Sequence, residues 1–280
     1  MMSVGRGTGV SMGVRGCALL LGAVLACAPA LADGPVPGNG PGGFVFVEGE
    51  ELVYNVRYAF INLGQIKITT VARNSADGKE CYFTRALIDS YKGIPFVDLH
   101  AVFESTIDPS MFSRRFMGKI KQDETWDFSR YRFDYDRNHV VIEMGERDTV
   151  VAQRETVEVR SSFQDGLSLF FLARDSVMSR KEVNVPTLIK EKKGNTFLSF
   201  TGGRTSVEID AIEYPVDVQE FEGVMDFIGI FGLTGDFEGW FSNDSARVPI
   251  KAKMEVLIGS VTIELIAWKR PGWTPPRGED

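Results

Sequence analysis

The sequence predicts a mainly β protein, an antiparallel curved sheet or open, incomplete β-barrel with one short helix. Three observations predict it. Apolar and polar residues alternate with period two along successive runs of strand length, turn-forming residues separate those runs, and a single segment switches to helical spacing.

The first strand pattern places Leu52, Tyr54, Val56 and Tyr58 on one face and Val53, Asn55 and Arg57 on the other. Asn62-Leu63-Gly64 reads as the turn, with Ile66, Ile68 and Thr70 continuing the alternation on the return. Asp77-Gly78 marks the next hairpin, because both residue types tolerate the positive φ of a tight turn. Strand-like runs follow at Val97–Thr106, Phe112–Gln122, Glu124–Asp134, Val140–Met144 and Thr149–Val159. A second set covers Glu182–Lys190, Thr196–Thr201, Thr205–Ile212 and Val216–Phe221. Val248–Ile258 and Val261–Trp268 close the chain around Gly259-Ser260, a pair suited to a type II′ hairpin. Between the two sets, Ser162–Arg174 places Leu169, Leu172 and Ala173 at helical spacing. This predicts a short helix over one face or end of the sheet, capped by Asp165 or Ser162.

The 280 residues carry 44% hydrophobic and 25% charged side chains, a globular rather than disordered composition. Residues 1–32 read as a secretory signal: Arg6 and Arg15 precede an apolar run from Cys17 to Ala26, and Ala30-Leu31-Ala32 supplies the small residues read at cleavage. The pattern predicts a cut between Ala32 and Asp33. A competing lipoprotein reading, Val24-Leu25-Ala26-Cys27, makes Cys27 the lipidated residue. Cleavage after Ala32 would leave Cys81 as the sole cysteine, and its strand-like surroundings make it a small buried hydrophobe. The apolar run is shorter than the roughly 20 residues of a membrane span, and nothing later in the sequence reaches that length, so no transmembrane span is expected in the mature chain. Residues 33–43 (DGPVPGNGPGG) read as a flexible linker, 44–270 as a single β-rich domain, and 271–280 as a disordered tail.

The formal net charge is −7, and loss of residues 1–32, which hold two arginines and no acid, would make it −9. That charge argues against a general affinity for nucleic acid or for anionic lipid, and no nucleic-acid partner is expected.

Three segments carry a family resemblance. Gly49-Glu50-Glu51-Leu52-Val53-Tyr54 opens the first strand. Asp165-Gly166-Leu167-Ser168 leads into Leu169-Phe170-Phe171-Leu172-Ala173-Arg174. Near the end, Gly239-Trp240-Phe241-Ser242-Asn243-Asp244 runs into Arg247-Val248-Pro249-Ile250 and the Gly259-Ser260 hairpin. In this order they resemble the bacterial exported family called domain of unknown function 3108, with Ala173 standing where a larger residue would be expected. The resemblance implies an exported, β-rich, open-barrel protein and a Trp-bearing strand before the last hairpin. It carries no catalytic residue across. By their residue types, Trp240 reads as a large buried side chain needing one partner for its N–H, and Asn243 and Asp244 as turn formers. Arg247 reads as the partner of Asp244 across that turn. Trp240, Arg247 and Asp165 are the candidate ligand contacts, set against purely structural roles for all three.

Motifs for chemistry are weak. Gly38–Gly43 spells a dinucleotide fingerprint, but Pro41 interrupts it and a strand follows where a helix is required. Asp134-Tyr135-Asp136-Arg137-Asn138 opens like a calcium loop, yet His139 replaces the glycine and Gly145 the final glutamate. A polar turn is the better reading. Gly166-Leu167-Ser168-Leu169-Phe170 lacks the second glycine of a nucleophile elbow. His100, near Asp98, has no partnered nucleophile, and no Cys/His cluster offers a metal site. The basic run Arg114–Lys121 alternates with apolar residues and reads as a solvated strand face ahead of a contact with anionic lipid or glycan.

The preferred reading is a non-catalytic envelope protein, in the periplasm or at the outer-membrane periphery of a Gram-negative bacterium, with no cofactor. Its concave β surface would hold a lipid, a glycan or an envelope protein. The alternatives are a carboxylate-dependent hydrolase of envelope polymers and a purely structural assembly component.

Overall fold

The computed structural model describes residues 45–279, apart from 77, 95–96, 123, 148–149, 190, 226–232 and 257–258. The expected signal segment, the Ala32/Asp33 cut and Cys27 lie outside the described residues.

Among the described residues fifteen strands and one helix follow in order. The first eight strands are β1 (Glu51–Tyr58), β2 (Ile61–Ala76), β3 (Lys79–Ser90), β4 (His100–Ile107), β5 (Ser113–Gln122), β6 (Thr125–Asp134), β7 (His139–Glu146) and β8 (Val150–Glu158). Helix α1 (Gly166–Ser176) comes next. The remaining strands are β9 (Glu182–Ile189), β10 (Lys192–Ser199), β11 (Arg204–Val207), β12 (Val216–Met225), β13 (Leu233–Ser242), β14 (Pro249–Val256) and β15 (Ser260–Lys269). They form one antiparallel sheet in the order β8-β7-β6-β5-β4-β3-β2-β1-β15-β14-β13-β12-β10-β9, with β11 pairing β12. Two meanders are thus joined where β1 pairs with β15. The strand pattern matches the expected mainly β class, and the sheet is not closed into a barrel: among the described residues its end strands β8 and β9 share no ladder. Side chains bring those ends near each other, with Tyr131 Oη donating to Glu191 Oε1 at 3.1 Å and Lys193 Nζ donating to the Glu158 carbonyl.

Alternation puts one side chain in two on the inner face. In β4, Ala101, Phe103, Ser105 and Ile107 are buried while their neighbours are half-exposed. Phe103, Phe116 and Tyr131 stack across β4, β5 and β6 at centroid distances of 5.9 and 4.9 Å, and Phe200, Phe221 and Phe241 form the counterpart in the second meander at 5.9 and 5.0 Å.

Antiparallel order sorts the turns onto two ends. The starts of β1, β5 and β14 share one end, and α1 lies across it. Asp165 caps α1 by accepting from the backbone N–H groups of Leu167 and Ser168, both at 2.8 Å, and Ser168 Oγ accepts in return from the Asp165 N–H. The other carboxylate oxygen of Asp165 accepts from Ser105 Oγ and Ser113 Oγ, each at 2.6 Å, tying the helix start to β4 and β5. Phe171 of α1 is fully buried and stacks on Phe46 at 4.9 Å, which stacks on Tyr82 at 4.1 Å. The helix therefore floors the curl of the sheet, and the opposite end, where β1 turns into β2 and β14 into β15, is its rim.

Two expectations are corrected. The first hairpin turns at Ala59-Phe60, three residues before Asn62-Leu63-Gly64, which lies within β2. The Pro-rich end is docked rather than disordered. Asp217 N–H donates to the Pro276 carbonyl at 2.9 Å, Gly278 N–H to that of Pro215 at 2.7 Å, and Arg277 lies 4.7 Å over the Tyr214 ring. Those contacts replace solvent along a chain whose prolines could not donate to a ladder of their own.

Candidate functional site

The inner face encloses an apolar trough of about 280 Å³ between α1 and the second meander. Leu169, Phe170 and Ala173 line it from α1, Ile66 and Ile68 from β2, and Phe221, Met225, Phe237, Phe241, Ala252 and Met254 from β12–β14. Among the described residues only two of its lining side chains carry polar groups, Tyr54 and Lys251, and both are occupied. Tyr54 Oη donates to the Pro249 carbonyl at 3.2 Å, and its burial holds the phenol strongly toward the neutral form. Lys251 Nζ is turned to Glu264 at 3.1 Å and to the Glu208 carbonyl at 3.2 Å. A ligand here would meet almost pure hydrocarbon and no directed hydrogen bond, the lining of a site for an aliphatic chain.

A second cavity of about 390 Å³ continues over the first meander and shares Gly166 and Ile189 with the trough. Phe116, Ile120, Met144 and Leu188 line its inner part, whereas Gln122, Asp127, Glu146 and Glu191 stand toward the rim. Apolar depth thus gives way to polar groups at the mouth.

Beneath the trough a buried ionic cluster fastens the floor. Arg174, with no exposed surface, donates to both Glu50 oxygens at 2.7 and 2.9 Å and to the carbonyls of Ala246 and Arg247. Arg270 adds a third contact to Glu50 at 2.6 Å. Burial would raise the Glu50 pKa, but the hydrogen bonds and charges of Arg174 and then Arg270 outweigh it and hold the carboxyl below its ordinary range. For Asp165 the balance is opposite: burial lifts its pKa above the ordinary value despite the donors around it. Asp175 is raised by burial as well, against the pull of Arg247.

The three candidate contacts from the sequence are not brought together. Asp165 is enclosed at the helix start, with its two oxygens taken by four protein donors. Trp240 lies opposite Glu220 in the β12–β13 register and donates its Nε1–H to Glu220 Oε1 at 3.2 Å, outside the trough lining. Arg247 departs from expectation: its backbone N–H reaches Asp244 at 3.1 Å, but its guanidinium turns to the carbonyl and carboxylate of Asp175. Asp244 instead accepts from Trp273 Nε1 at 2.8 Å. Sequence reasoning did not find Glu50, Asp175 or Arg270 as members of a site. The sequence signal was there in part, since Glu50 and Arg174 each sit inside a motif of the family resemblance.

Elsewhere, His100 stands between Asp89 at 2.7 Å and Asp98 at 3.4 Å on the surface. Asp134 accepts from Arg137 in a turn whose Asn138 has φ 55°. Among the described residues no three His, Cys, Asp or Glu side chains gather as metal ligands, and no helix is long and apolar enough to cross a membrane.

A family model described as "Protein of unknown function (DUF3108)" matches residues 53–266. The solved structure of a β-barrel-like protein of the domain of unknown function DUF1849 from Brucella abortus is 10% identical, and the match covers 80% of this chain and 98% of that one at a TM-score of 0.54. That likeness is one of fold. A structure with a YmcC-like fold from Bacteroides fragilis, 7% identical over 80% of this chain and 97% of its own, reaches a TM-score of only 0.25. No curated protein matches the chain.

Proposed function

The chain belongs to the DUF3108 family of proteins of unknown function, and on that premise we propose that it is an exported, non-catalytic envelope protein that holds the acyl chain of a lipid in the trough above α1. The observation that carries this reading is the trough lining, in which, among the described residues, both polar side chains are already bonded to protein. A glycan would need unsatisfied donors and acceptors there, and an acyl chain needs none. Burying each methylene of such a chain contributes about 0.8 kcal/mol. Export rests on the n-region, apolar run and Ala30-Leu31-Ala32 of the N-terminal segment, and a periplasmic or outer-membrane-facing site follows from it. An open sheet suits a carrier, because an incomplete wall admits a long chain without unfolding.

The test is titration of delipidated protein with cis-parinaric acid, whose fluorescence rises on leaving water. Saturable binding at one site is expected, and Ala252→Trp, which fills the trough from β14, should weaken it about tenfold or more while leaving the far-ultraviolet circular dichroism unchanged. Absence of saturable binding, or unchanged binding by a folded Ala252→Trp protein, overturns the reading.

A further inference from the structure

Apolar side chains are exposed in a pattern. Among the described residues seven large hydrophobic side chains stand out as exposed. Five of them, Phe60, Ile61, Val150, Val151 and Val224, stand toward the rim, Phe197 lies farther down β10, and Met178 lies beyond α1. Phe60 is 89% exposed at the tip of the β1–β2 hairpin, and Ile61 follows it. Val150 and Val151 begin β8. Val224 is the penultimate residue of β12, and Phe197 is its cross-strand partner. Scattered exposed hydrophobics are ordinary on a soluble protein, but their collection at one end is not.

The outer face below that rim is basic. A groove of about 440 Å³ on β4–β8 carries Arg115, Arg130, Arg132 and Arg154 against Glu104 and Glu143. Arg85 and Lys119 extend it through a neighbouring depression that shares Glu104 and Met117. The acids are engaged within the groove, Glu104 by Arg85 at 2.6 Å and Glu143 by Arg130 and Arg154. Six cationic side chains thus stand with two carboxylates in the lining of this face, in a chain whose net charge is −7. Arg154 lies four residues along β8 from Val150, about 13 Å at strand spacing, so the upper groove lies little more than a Debye length below the rim.

We infer that the rim docks on the surface of a lipid bilayer containing anionic phospholipid, with Phe60 and its apolar neighbours entering the acyl boundary and the basic groove facing headgroup phosphates. The inference deepens the acyl-carrier reading and rests on it for purpose: both cavities reach the rim, at Met225 and Met254 in one and Gln122 and Glu191 in the other. A rim seated on the membrane places the mouth of the trough where a lipid leaves or enters. Apolar insertion combined with electrostatic attraction is the usual basis of reversible surface binding.

Flotation of the mature protein with phosphatidylethanolamine vesicles, with and without phosphatidylglycerol, tests it. Binding should require phosphatidylglycerol and fall with salt. Phe60→Ser should lower it about tenfold, Arg132→Ser with Arg154→Ser should remove most of the phosphatidylglycerol-dependent part, and Phe60→Trp should show a blue shift on vesicle addition. Millimolar inorganic phosphate should not compete, whereas full competition would mean a site for free phosphate and overturn the inference. So would absence of vesicle binding, binding unaffected by Phe60→Ser, or self-association through the rim without vesicle binding. Ala252→Trp should bind vesicles as the wild type does, so failure of the trough and failure of the rim are read separately.

Discussion

At the scale of single residues the molecule turns on Glu50. It is 2% exposed, lies just before β1, and is the acceptor on which Arg174 of α1 and Arg270 after β15 converge. Removing one partner of a buried ion pair leaves the other charge without compensation, at a cost of about 3–5 kcal/mol. Glu50→Gln leaves two arginines in that state, so a loss of about 3 kcal/mol is expected in urea unfolding at neutral pH. The pH dependence has a definite sign. The folded-state pKa of Glu50 lies below its ordinary, unfolded value, so its contribution is present above the unfolded value and is lost as pH falls through the lower, folded one. The stability gap between wild type and Glu50→Gln should therefore be full above about pH 5 and narrow at more acidic pH. A gap that stays constant down to pH 3 would show that the carboxylate charge is not what holds the floor. Asp165 and Asp175, with raised values, favour folding in the opposite direction as pH falls. The narrowing is thus to be measured as a difference between variants rather than as acid stability of the wild type.

At the scale of elements, the first hairpin shows what the sequence discloses and what it conceals. Alternation in Glu51–Tyr58 is a property of the segment itself, so β1 was legible, as were β4–β7 and the final hairpin. Gly64 suggested a turn. Its actual role is close approach, because a Cβ there would stand 2.3 Å from the carbonyl oxygen of Asp89 on β3. The same residue type serves both purposes, and only the partner strand tells them apart. Gly64→Ala must push β2 from β3 next to the bulge in the β1–β2 register, and should cost about 1–3 kcal/mol. Thermal melts would check this, and a melting temperature unchanged within error would refute the close-approach account. The cap was legible for a related reason: Asp165 and Ser168 are three residues apart and form a local capping box. The ionic floor was not, since Glu50 and Arg174 are 124 residues apart in sequence and Arg247 and Asp175 are 72 apart. Likewise the C-terminal segment looked frayed because the groups that hold it, the Asp217 N–H, the Pro215 carbonyl and the Tyr214 ring, belong to residues some sixty positions earlier.

At the scale of the whole molecule, the apolar trough is bounded by both meanders and the helix at once. Ile66 and Ile68 come from the first meander, Phe221, Phe237 and Met254 from the second, and Leu169 and Phe170 from α1, which is itself tied to the first through Asp165 and Ser105 and to the second through Arg174 and the Ala246 carbonyl. An occupant therefore touches all three parts in the native state and has no equivalent site once the chain unfolds. Linkage then requires ligand to stabilise the whole fold by RT ln(1 + [L]/Kd), about 2.7 kcal/mol at a hundredfold excess over Kd. For a domain of this size each kcal/mol moves the midpoint by roughly 2–4 °C, so saturation with palmitate should raise it by about 5–11 °C. The rise should appear as a shift of one cooperative transition, because the ladder is continuous from β8 to β9 and α1 bridges its two halves. In Ala252→Trp the indole already fills the trough, and the same palmitate concentration should move the midpoint little. Differential scanning calorimetry of both proteins, with and without palmitate, decides the matter. An equal shift in both would place the fatty acid outside the trough, and a shift confined to part of a split transition would show that the trough does not couple the two meanders.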